Sequence, residues 1–318
     1  MPLTEFGLID RYFRAIGPAL DSTVRGVGDD CAVLRPPEDQ LLLVTTDTLV
    51  ENIHFLAGSD PESLGHKSLA VNLSDLAAMG ATPEWVTLAL TLPDVNESWL
   101  EAFAGGFSAL AERYRVQLVG GDTTRGPLSI CVQALGTAAA ERILYRSTAS
   151  PGDGIYVTGT IGDAGLALKY LEDPERHCPK TLRDRLDRPE PRIEAGQSIG
   201  GLASACIDIS DGLVADLGHL LQASHAGATL DWNLIPLSPA VRQYVEQSRD
   251  FNLPLCAGDD YELCFTVPPI REQELIRAVG SLPYPCQRVG TIDQRPGLRI
   301  ENGGPGLDLK LGGYEHFS

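Results

Sequence analysis

Basic residues are scarce in this chain. Its 318 residues contain 25 Lys and Arg against 43 Asp and Glu, which gives a formal net charge of −18 at pH 7. This excess of negative charge opposes non-specific association with the phosphate backbone of nucleic acids and with anionic membranes. We therefore expect neither a nucleic acid nor a membrane as a partner.

Paired cysteines and long apolar runs are also missing. The seven cysteines include no CxxC pair, and several stand inside apolar runs, as is typical of reduced thiols in a cytosolic protein. The segment MPLTEFGLIDRYFRAI carries charges throughout and predicts an amphipathic helix rather than a signal peptide. No apolar run approaches the roughly 18 residues that a membrane-spanning helix needs. We expect a cytoplasmic enzyme or binding protein.

The common phosphate-binding signatures are absent as well. The sequence has no GxxxxGK[ST] motif and no protein-kinase catalytic set, which excludes a P-loop enzyme and a protein kinase. The segment TGTIGDAGLAL (158–168) does place glycines between a strand and a helix, where backbone amides could face a phosphate. Close packing and helix entry are the interpretation we favour for these glycines.

What the chain does contain is an alternation of strand and helix patterns. With 43% hydrophobic residues it can bury a substantial core, and its length favours two domains. A polar stretch at 172–192 is predicted to cross the surface of the second domain, and the turn SPGD marks a boundary between domains 1–149 and 150–318. The predicted strands are 41–46, 85–92, 128–137, 154–159 and 261–267, and the predicted helices are 61–80, 98–114 and 211–227.

Aspartates recur where the apolar strands end. They lie in the segments GVGDDCAVL, VTTDTLV, VGGDTT, ACIDISDGL and CAGDDYELCF. Each one alone has an ordinary explanation as a turn residue or helix cap. Together with Asp75 on an amphipathic helix, they predict carboxylates from both domains converging on one cleft. Two unit charges about 4 Å apart repel by about 4 kcal/mol at an effective dielectric constant of about 20, and a hard cation would relieve this repulsion.

The donor types indicate which cation. Oxygen ligands without paired His or Cys favour Mg²⁺ or Ca²⁺ over zinc, and the spacing does not match an EF-hand loop. An incomplete protein cage favours Mg²⁺, which keeps water ligands and bridges to phosphates. The residues by themselves therefore predict a polyphosphate substrate held through several Mg²⁺ ions.

The order of these motifs resembles the thiamine-monophosphate kinase family. The segments that carry the resemblance span nearly the whole chain: GVGDDCAVL, TTDTLVENIHF, NLSDLAAMGA, GGDTTRGPL, IDISDGL, DDYELCF and GYEHF. The resemblance implies an α+β fold of two α/β-type domains of the aminoimidazole ribonucleotide synthetase-like superfamily, with mixed sheets flanked by helices. It also implies ATP-dependent phosphorylation of thiamine monophosphate to thiamine diphosphate with several Mg²⁺ ions, in a homodimer formed through the N-terminal domains.

The resemblance also implies roles for individual residues. The implied metal ligands are all oxygen donors: Asp30, Thr45, Thr46, Asp47, Asp75, Asp122, Asp208 and Asp211. The implied ATP contacts are Gly121, Asp122, Arg146 and Ser210, with catalytic roles for Asp122 and Arg146. The implied thiamine monophosphate contacts are His54, Asp259 and Tyr314. At Asp259 the chain reads AGDDYEL where the family usually has GGEDYEL, so the carboxylate is one methylene shorter. Asp29 is assigned to shaping the turn beside Asp30.

Two alternatives stay open at this point. The first is another ATP-using enzyme of the superfamily, although a chain that starts MPLTEFG and ends GYEHFS has neither the reactive N-terminal Cys or selenocysteine of selenophosphate synthetase nor the cysteine tail of the hydrogenase maturation protein. The second is a non-catalytic acidic protein that binds divalent metals. Ordinary structural roles also stay open for single residues: His54 in a loop, Arg146 in a surface ion pair and Tyr314 in C-terminal packing.

Overall fold

The computed structural model describes residues 4–173, 175–304 and 307. The chain divides into two compact units. Unit 1 comprises Met1–Leu76 and Ala81–Ala140, and unit 2 comprises Ala77–Gly80 and Glu141–Ser318. The domain boundary between 149 and 150 stays a prediction.

Unit 1 contains a four-stranded mixed sheet and two long helices. Its elements are α1 (Glu5–Tyr12), β1 (Thr23–Arg25), β2 (Val33–Leu34), β3 (Leu41–Val50), α2 (Pro61–Ala78), β4 (Thr82–Leu92), α3 (Glu97–Tyr114), β5 (Gln117–Arg125) and β6 (Ser129–Ala138). The strand order is β3-β6-β4-β5. Strands β4 and β5 pair in parallel, whereas β6 pairs with β3 and β4 in antiparallel fashion. Strands β3 and β5 are therefore the two edges of this sheet.

Aromatic side chains are the largest buried residues in the core of unit 1. Trp85, Phe103 and Phe107 are among its largest fully buried residues. The indole nitrogen of Trp85 donates a hydrogen bond to Thr23 Oγ1 at 2.9 Å, which satisfies its polar atom. Helix α3 begins at the N-cap Asn96, whose side-chain oxygen accepts from the backbone N–H of Trp99 at 3.1 Å. Helix α3 buries one apolar face, which includes Phe103 and Phe107.

Unit 2 contains a six-stranded mixed sheet with shorter helices. Its elements are β7 (Gly154–Thr158), α4 (Asp163–Leu171), α5 (Lys180–Asp187), α6 (Ile193–Ile199), β8 (Ala205–Ile209), α7 (Leu213–Ser224), β9 (Gly227–Asp231), α8 (Pro239–Ser248), α9 (Leu253–Cys256), β10 (Glu262–Val267), α10 (Glu272–Val279), β11 (Cys286–Asp293) and β12 (Gly297–Glu301). The strand order is β12-β9-β11-β7-β10-β8, and β12 pairs with β9 in parallel. Every residue of β7, β8 and β10 is buried, as in strands covered on both faces.

The structure confirms the predicted strands and helices, and two units with mixed sheets and helices confirm the α+β class. The seven cysteines, all of them among the described residues, are thiols outside any disulfide bond. No helix in the described part of the chain is long and apolar enough to cross a membrane.

The prediction of a surface crossing at 172–192 was wrong for its second half. Helix α5 forms there, and Leu182 and Leu186 are buried because residues four apart share one helix face. Arg192 follows the helix and is only 8% exposed. The charged composition concealed this arrangement, since arginines count as surface residues unless a buried partner is known.

Candidate active site

In unit 1, strand β3 and helix α2 bring together three of the predicted metal ligands. Thr45 and Asp47 are two positions apart on β3 and share a face of the sheet. Asn72 and Asp75 are three positions apart on α2 and share a face of the helix. The Thr45 hydroxyl donates to a carboxylate oxygen of Asp75, and the Asp47 backbone N–H donates to Asn72 Oδ1 at 3.2 Å.

The two carboxylates of this group repel each other. Burial raises the pKa of Asp47 to about 7, and the charge of Asp75 adds to the rise. A folded protein that places two acidic side chains together in a half-buried site destabilises their charged forms. A cation bound between them would reverse this effect. The donor set is oxygen only, so the arrangement fits Mg²⁺ in its chemistry.

Gly121 and Asp122 lie on the edge strand β5. At Gly121 the backbone has φ of 150°, and a Cβ there would stand 1.9 Å from the carbonyl oxygen of Leu88 on β4. No other residue fits at this position without moving the neighbouring strand. Asp122 is exposed beside it. Close approach of β4 thus explains Gly121, and Asp122 follows it as an exposed acidic side chain.

The register of the sheet separates Asp122 from Asp47. Asp122 is paired with Ala89 on β4, Ala89 with Cys131 on β6, and Cys131 with Thr48 on β3. Neighbouring strands lie about 4.8 Å apart, so the two edges of the sheet are about 14 Å apart. Sequence reasoning had grouped the two aspartates, and only the strand order reveals their separation.

Three further predicted residues of unit 1 have local partners. Asp30 is exposed, and its backbone N–H donates to Asp29 Oδ1 at 3.0 Å, which agrees with a turn-shaping role for Asp29. Thr46 Oγ1 accepts from Gln133 Nε2 at 3.3 Å across the sheet. His54 Nδ1 accepts from the backbone N–H of residue 50 at 3.0 Å. This bond fixes the orientation of the imidazole ring and places the proton of its neutral form on Nε2.

The predicted metal set is divided between the units. Six of its residues belong to unit 1, and Asp208 and Asp211 belong to unit 2. Within residues 4–173, 175–304 and 307, no three side chains of the His, Cys, Asp and Glu type form a group that could hold a metal ion. The eight metal assignments stay predictions. A Mg²⁺ site that keeps water and phosphate ligands does not need a complete protein cage.

In unit 2, Asp208, Ser210 and Asp211 lie where β8 ends and α7 begins. Asp208 is 4% exposed. The backbone N–H groups of Ser210 and Asp211 donate to Asp216 Oδ2 at 3.0 and 2.9 Å, so this carboxylate in the first turn of α7 holds the preceding turn in place. Burial raises the pKa of Asp216 to about 7; these amides oppose the rise and the charge of Asp211 adds to it.

The loop between α9 and β10 lies against this turn. The backbone N–H of Asp259 donates to the carbonyl oxygen of Ser210, and that of Tyr261 donates to Ile209, both at 2.8 Å. The structure therefore brings a residue predicted to contact thiamine monophosphate next to one predicted to contact ATP. Sequence spacing could not show this, because 49 positions of chain separate Asp259 from Ser210.

A buried ionic network beside this loop was missed by sequence reasoning. Glu262 at the start of β10 is fully buried and accepts from Arg192 Nε at 2.6 Å, from Arg185 at 2.7 Å and from the Thr158 hydroxyl at 2.6 Å. A Cβ at Gly159 would stand 2.1 Å from its carboxylate, which explains the glycine after β7 by close packing. No local signal in the sequence identified this network, because the charged residues around Arg185 and Arg192 suggest an exposed segment.

The comparisons with known proteins agree with this geometry. The family model for AIR synthase related protein, N-terminal domain, matches residues 28–138, and the model for its C-terminal domain matches 150–302. A thiamine-monophosphate kinase of Salmonella typhimurium is 47% identical over 323 residues, which is 100% of this chain and 99% of that protein. The chain belongs to the thiamine-monophosphate kinase family. The fold is accordingly the aminoimidazole ribonucleotide synthetase-like one.

Two solved structures of the family are similar to this chain. The thiamine-monophosphate kinase of Stenotrophomonas maltophilia K279a has a TM-score of 0.87 and 43% identity over 95% of this chain and 98% of that one. AaThiL complexed with AMPPCP and TMP has a TM-score of 0.77 and 32% identity over 99% of this chain and 97% of that one.

The last two residues that the family resemblance singles out stand apart from these groups. Arg146 is exposed, and its charge is the smallest of the effects that oppose the rise in the pKa of Asp216. Its contact with ATP and its catalytic role stay predictions, and a surface ion pair stays the alternative. Tyr314 lies outside the described residues, and its role stays a prediction.

Proposed function

We propose that this protein transfers the γ-phosphoryl group of ATP to thiamine monophosphate, which yields thiamine diphosphate and ADP. The observation that carries the proposal is the 47% identity with the Salmonella typhimurium kinase over the whole of this chain. The complex of AaThiL with AMPPCP, a methylene analogue of ATP, and TMP supports a site for a nucleotide and a second ligand in this fold.

The reaction does not require a side chain that removes a proton. The attacking oxygen belongs to a phosphate monoester, whose second pKa is near 6, so most of it is already deprotonated at pH 7. Repulsion between two anionic groups is the main obstacle. The task of the protein is therefore to neutralise charge and to align the acceptor with the γ-phosphate.

We assign charge neutralisation to the predicted metal ligands. Asp47, Asp75 and Thr45 would hold Mg²⁺ at the β3–α2 group, and Asp122 would hold it at the β5 edge. When bound, Mg²⁺ would offset the charge of both phosphates. In unit 2, Arg146 adds positive charge and Ser210 presents its hydroxyl to the nucleotide. Asp259 orients the acceptor. These roles are part of the proposal.

We also propose a cytoplasmic homodimer that forms through unit 1. Leu41, Leu42 and Val44 on the edge strand β3 are 52%, 47% and 54% exposed. An edge strand with exposed apolar side chains pairs readily with a second copy. Sedimentation equilibrium tests this: Val44→Lys should shift the protein toward monomer, and an unchanged mass would refute pairing through β3. Cysteines in the thiol form fit a reducing compartment.

A coupled assay for ADP release tests the proposed function. Thiamine monophosphate should support ADP release, and thiamine, which lacks the acceptor phosphate, should not. ADP release at the same rate with and without thiamine monophosphate would favour another ATP-using enzyme of the superfamily. Titration calorimetry with AMPPCP and Mg²⁺ tests the remaining alternative, since a non-catalytic metal-binding protein should take up Mg²⁺ but not the nucleotide analogue.

A further inference from the structure

The loop that carries Asp259 has an unusual backbone. Asp259 has φ of +68° and Tyr261 has φ of +50°, although neither is glycine. Asp tolerates the left-handed region better than most residues, whereas an aromatic residue rarely adopts it. Two such residues within three positions persist only where the surroundings hold them, and strain of this kind is common at ligand sites.

The surroundings hold this loop from three directions. The backbone N–H groups of Asp259 and Tyr261 donate to the end of β8 at 2.8 Å. Both carboxylate oxygens of Asp260 accept from the backbone N–H of Gly162, at 3.0 and 2.8 Å. Glu262 anchors the loop at its other end in the buried arginine network. The loop is therefore a rigid support for any side chain that it carries.

One hydrogen bond within this loop involves Asp259, the residue that is predicted to contact thiamine monophosphate. The Tyr261 hydroxyl donates to Asp259 Oδ1 at 3.0 Å. Tyr261 is 8% exposed, so its ring is fixed by packing while its hydroxyl reaches the more exposed Asp259. The two partners of this bond are only two positions apart, and both have left-handed backbone conformations.

We propose that Tyr261 is a positioning residue for the acceptor site: its hydroxyl holds the Asp259 carboxylate in the rotamer that binds thiamine monophosphate. This inference rests on the proposed function. A short aspartate has few atoms with which to reach a ligand, so its orientation matters more than that of a longer acid. The bond also keeps one carboxylate oxygen engaged before the substrate arrives, which reduces the ordering that binding requires.

Tyr261→Phe isolates the hydroxyl, because it keeps the ring and its packing. We expect the Michaelis constant for thiamine monophosphate to rise about 10- to 100-fold, the range for loss of one hydrogen bond to a charged group. The turnover number and the Michaelis constant for ATP should change less than about twofold, since Tyr261 acts on acceptor binding alone. Equal effects on both substrates, or none, would refute the positioning role.

The chain offers a matched control in the same unit. The Tyr244 hydroxyl donates to Asp250 Oδ2 at 2.9 Å, a tyrosine–aspartate bond of the same kind at a place to which no site residue is assigned. Tyr244→Phe should lower the melting temperature about as much as Tyr261→Phe but leave both Michaelis constants unchanged. If it raises the acceptor constant equally, the effect of Tyr261→Phe is one of general stability, and the inference is wrong.

A double-mutant cycle separates action through Asp259 from direct contact with the substrate. In the Asp259→Ala background, kcat/KM for thiamine monophosphate should be unaffected by adding Tyr261→Phe, because the partner of the hydroxyl is gone. A further loss of threefold or more in that background would show that Tyr261 acts independently of Asp259 and would overturn the inference.

Calorimetric titration with thiamine monophosphate distinguishes failure of this inference from failure of the proposed function. A wild-type protein that binds thiamine monophosphate without phosphorylating it would refute the proposed function alone. The same comparison of Tyr261→Phe with Tyr244→Phe, made on dissociation constants, would then still decide the role of Tyr261. A wild-type protein that neither binds nor phosphorylates it would refute both.

Discussion

Replacing Glu262 by glutamine should strongly destabilise unit 2. The carboxylate of Glu262 is the shared acceptor for the side chains of Arg185, Arg192 and Thr158. Glutamine preserves the shape of the side chain but removes its charge. Arg192, whose side chain is 9% exposed, would then keep a cation in the interior without its anionic partner. Stacking over the Tyr284 ring at 4.0 Å offsets only part of that loss.

The size of the effect follows from the burial of the pair. Removing one partner of a buried ion pair costs about 3 to 5 kcal/mol, because the remaining charge stays desolvated. For a unit of this size, each kcal/mol lowers the melting temperature by roughly 2 to 4 °C. Glu262→Gln should therefore lower the melting temperature of unit 2 by roughly 6 to 20 °C. Changes in hydrophobic burial are negligible, since the two side chains have almost the same volume.

Differential scanning calorimetry of the purified variants measures this shift. The matched control is Asp184→Asn, which removes the same charge from the exposed pair of Lys180 and Asp184 and should cost at most about 0.5 kcal/mol. Adding Arg192→Met to Glu262→Gln should cost less than the sum of the single changes, because both residues belong to one network. A Glu262→Gln variant that melts within 3 °C of Asp184→Asn would refute the buried-pair reasoning.

Three further predictions follow from the geometry. Asp47→Asn should lower turnover at limiting Mg²⁺ by at least about tenfold and leave the melting temperature equal or higher, because it relieves repulsion from Asp75; a wild-type rate would contradict the metal assignment. Burial raises the pKa of Asp260 well above its ordinary value of 3.8, so on a rise in pH the unfolded state releases this proton first and the free energy of unfolding should fall above about pH 4. Urea unfolding at pH 5 and 8 should show a smaller fall for Asp260→Asn than for the wild type, and an equal fall would contradict this prediction. A thiol reagent at pH 8 should label the exposed Cys31 in the native protein but Cys206 only after unfolding, because burial raises the pKa of the Cys206 thiol. Peptide mass spectrometry identifies the labelled residue, and labelling of Cys206 in the native protein would show that strand β8 opens.

The amino-acid sequence by itself determined the local structure and the family. Periodic apolar residues and glycine-rich turns specify each strand and helix through interactions between near neighbours, so those elements could be predicted without a structure. The motifs with Asp47, Asp122, Asp208 and Asp259 were equally visible, because each is a short continuous segment. The roles that the resemblance implies for these residues stay predictions.

The tertiary structure decided which of these residues meet. The proximity of Asp47 to Asp75 depends on how α2 packs on β3, and the separation of Asp47 from Asp122 depends on the strand order β3-β6-β4-β5. The two arginine partners of Glu262 lie 70 and 77 positions earlier in the chain, in a stretch whose charges suggested an exposed segment. Contacts at such separations are set by packing and by the desolvation of charged groups, and no local pattern in a single sequence encodes them.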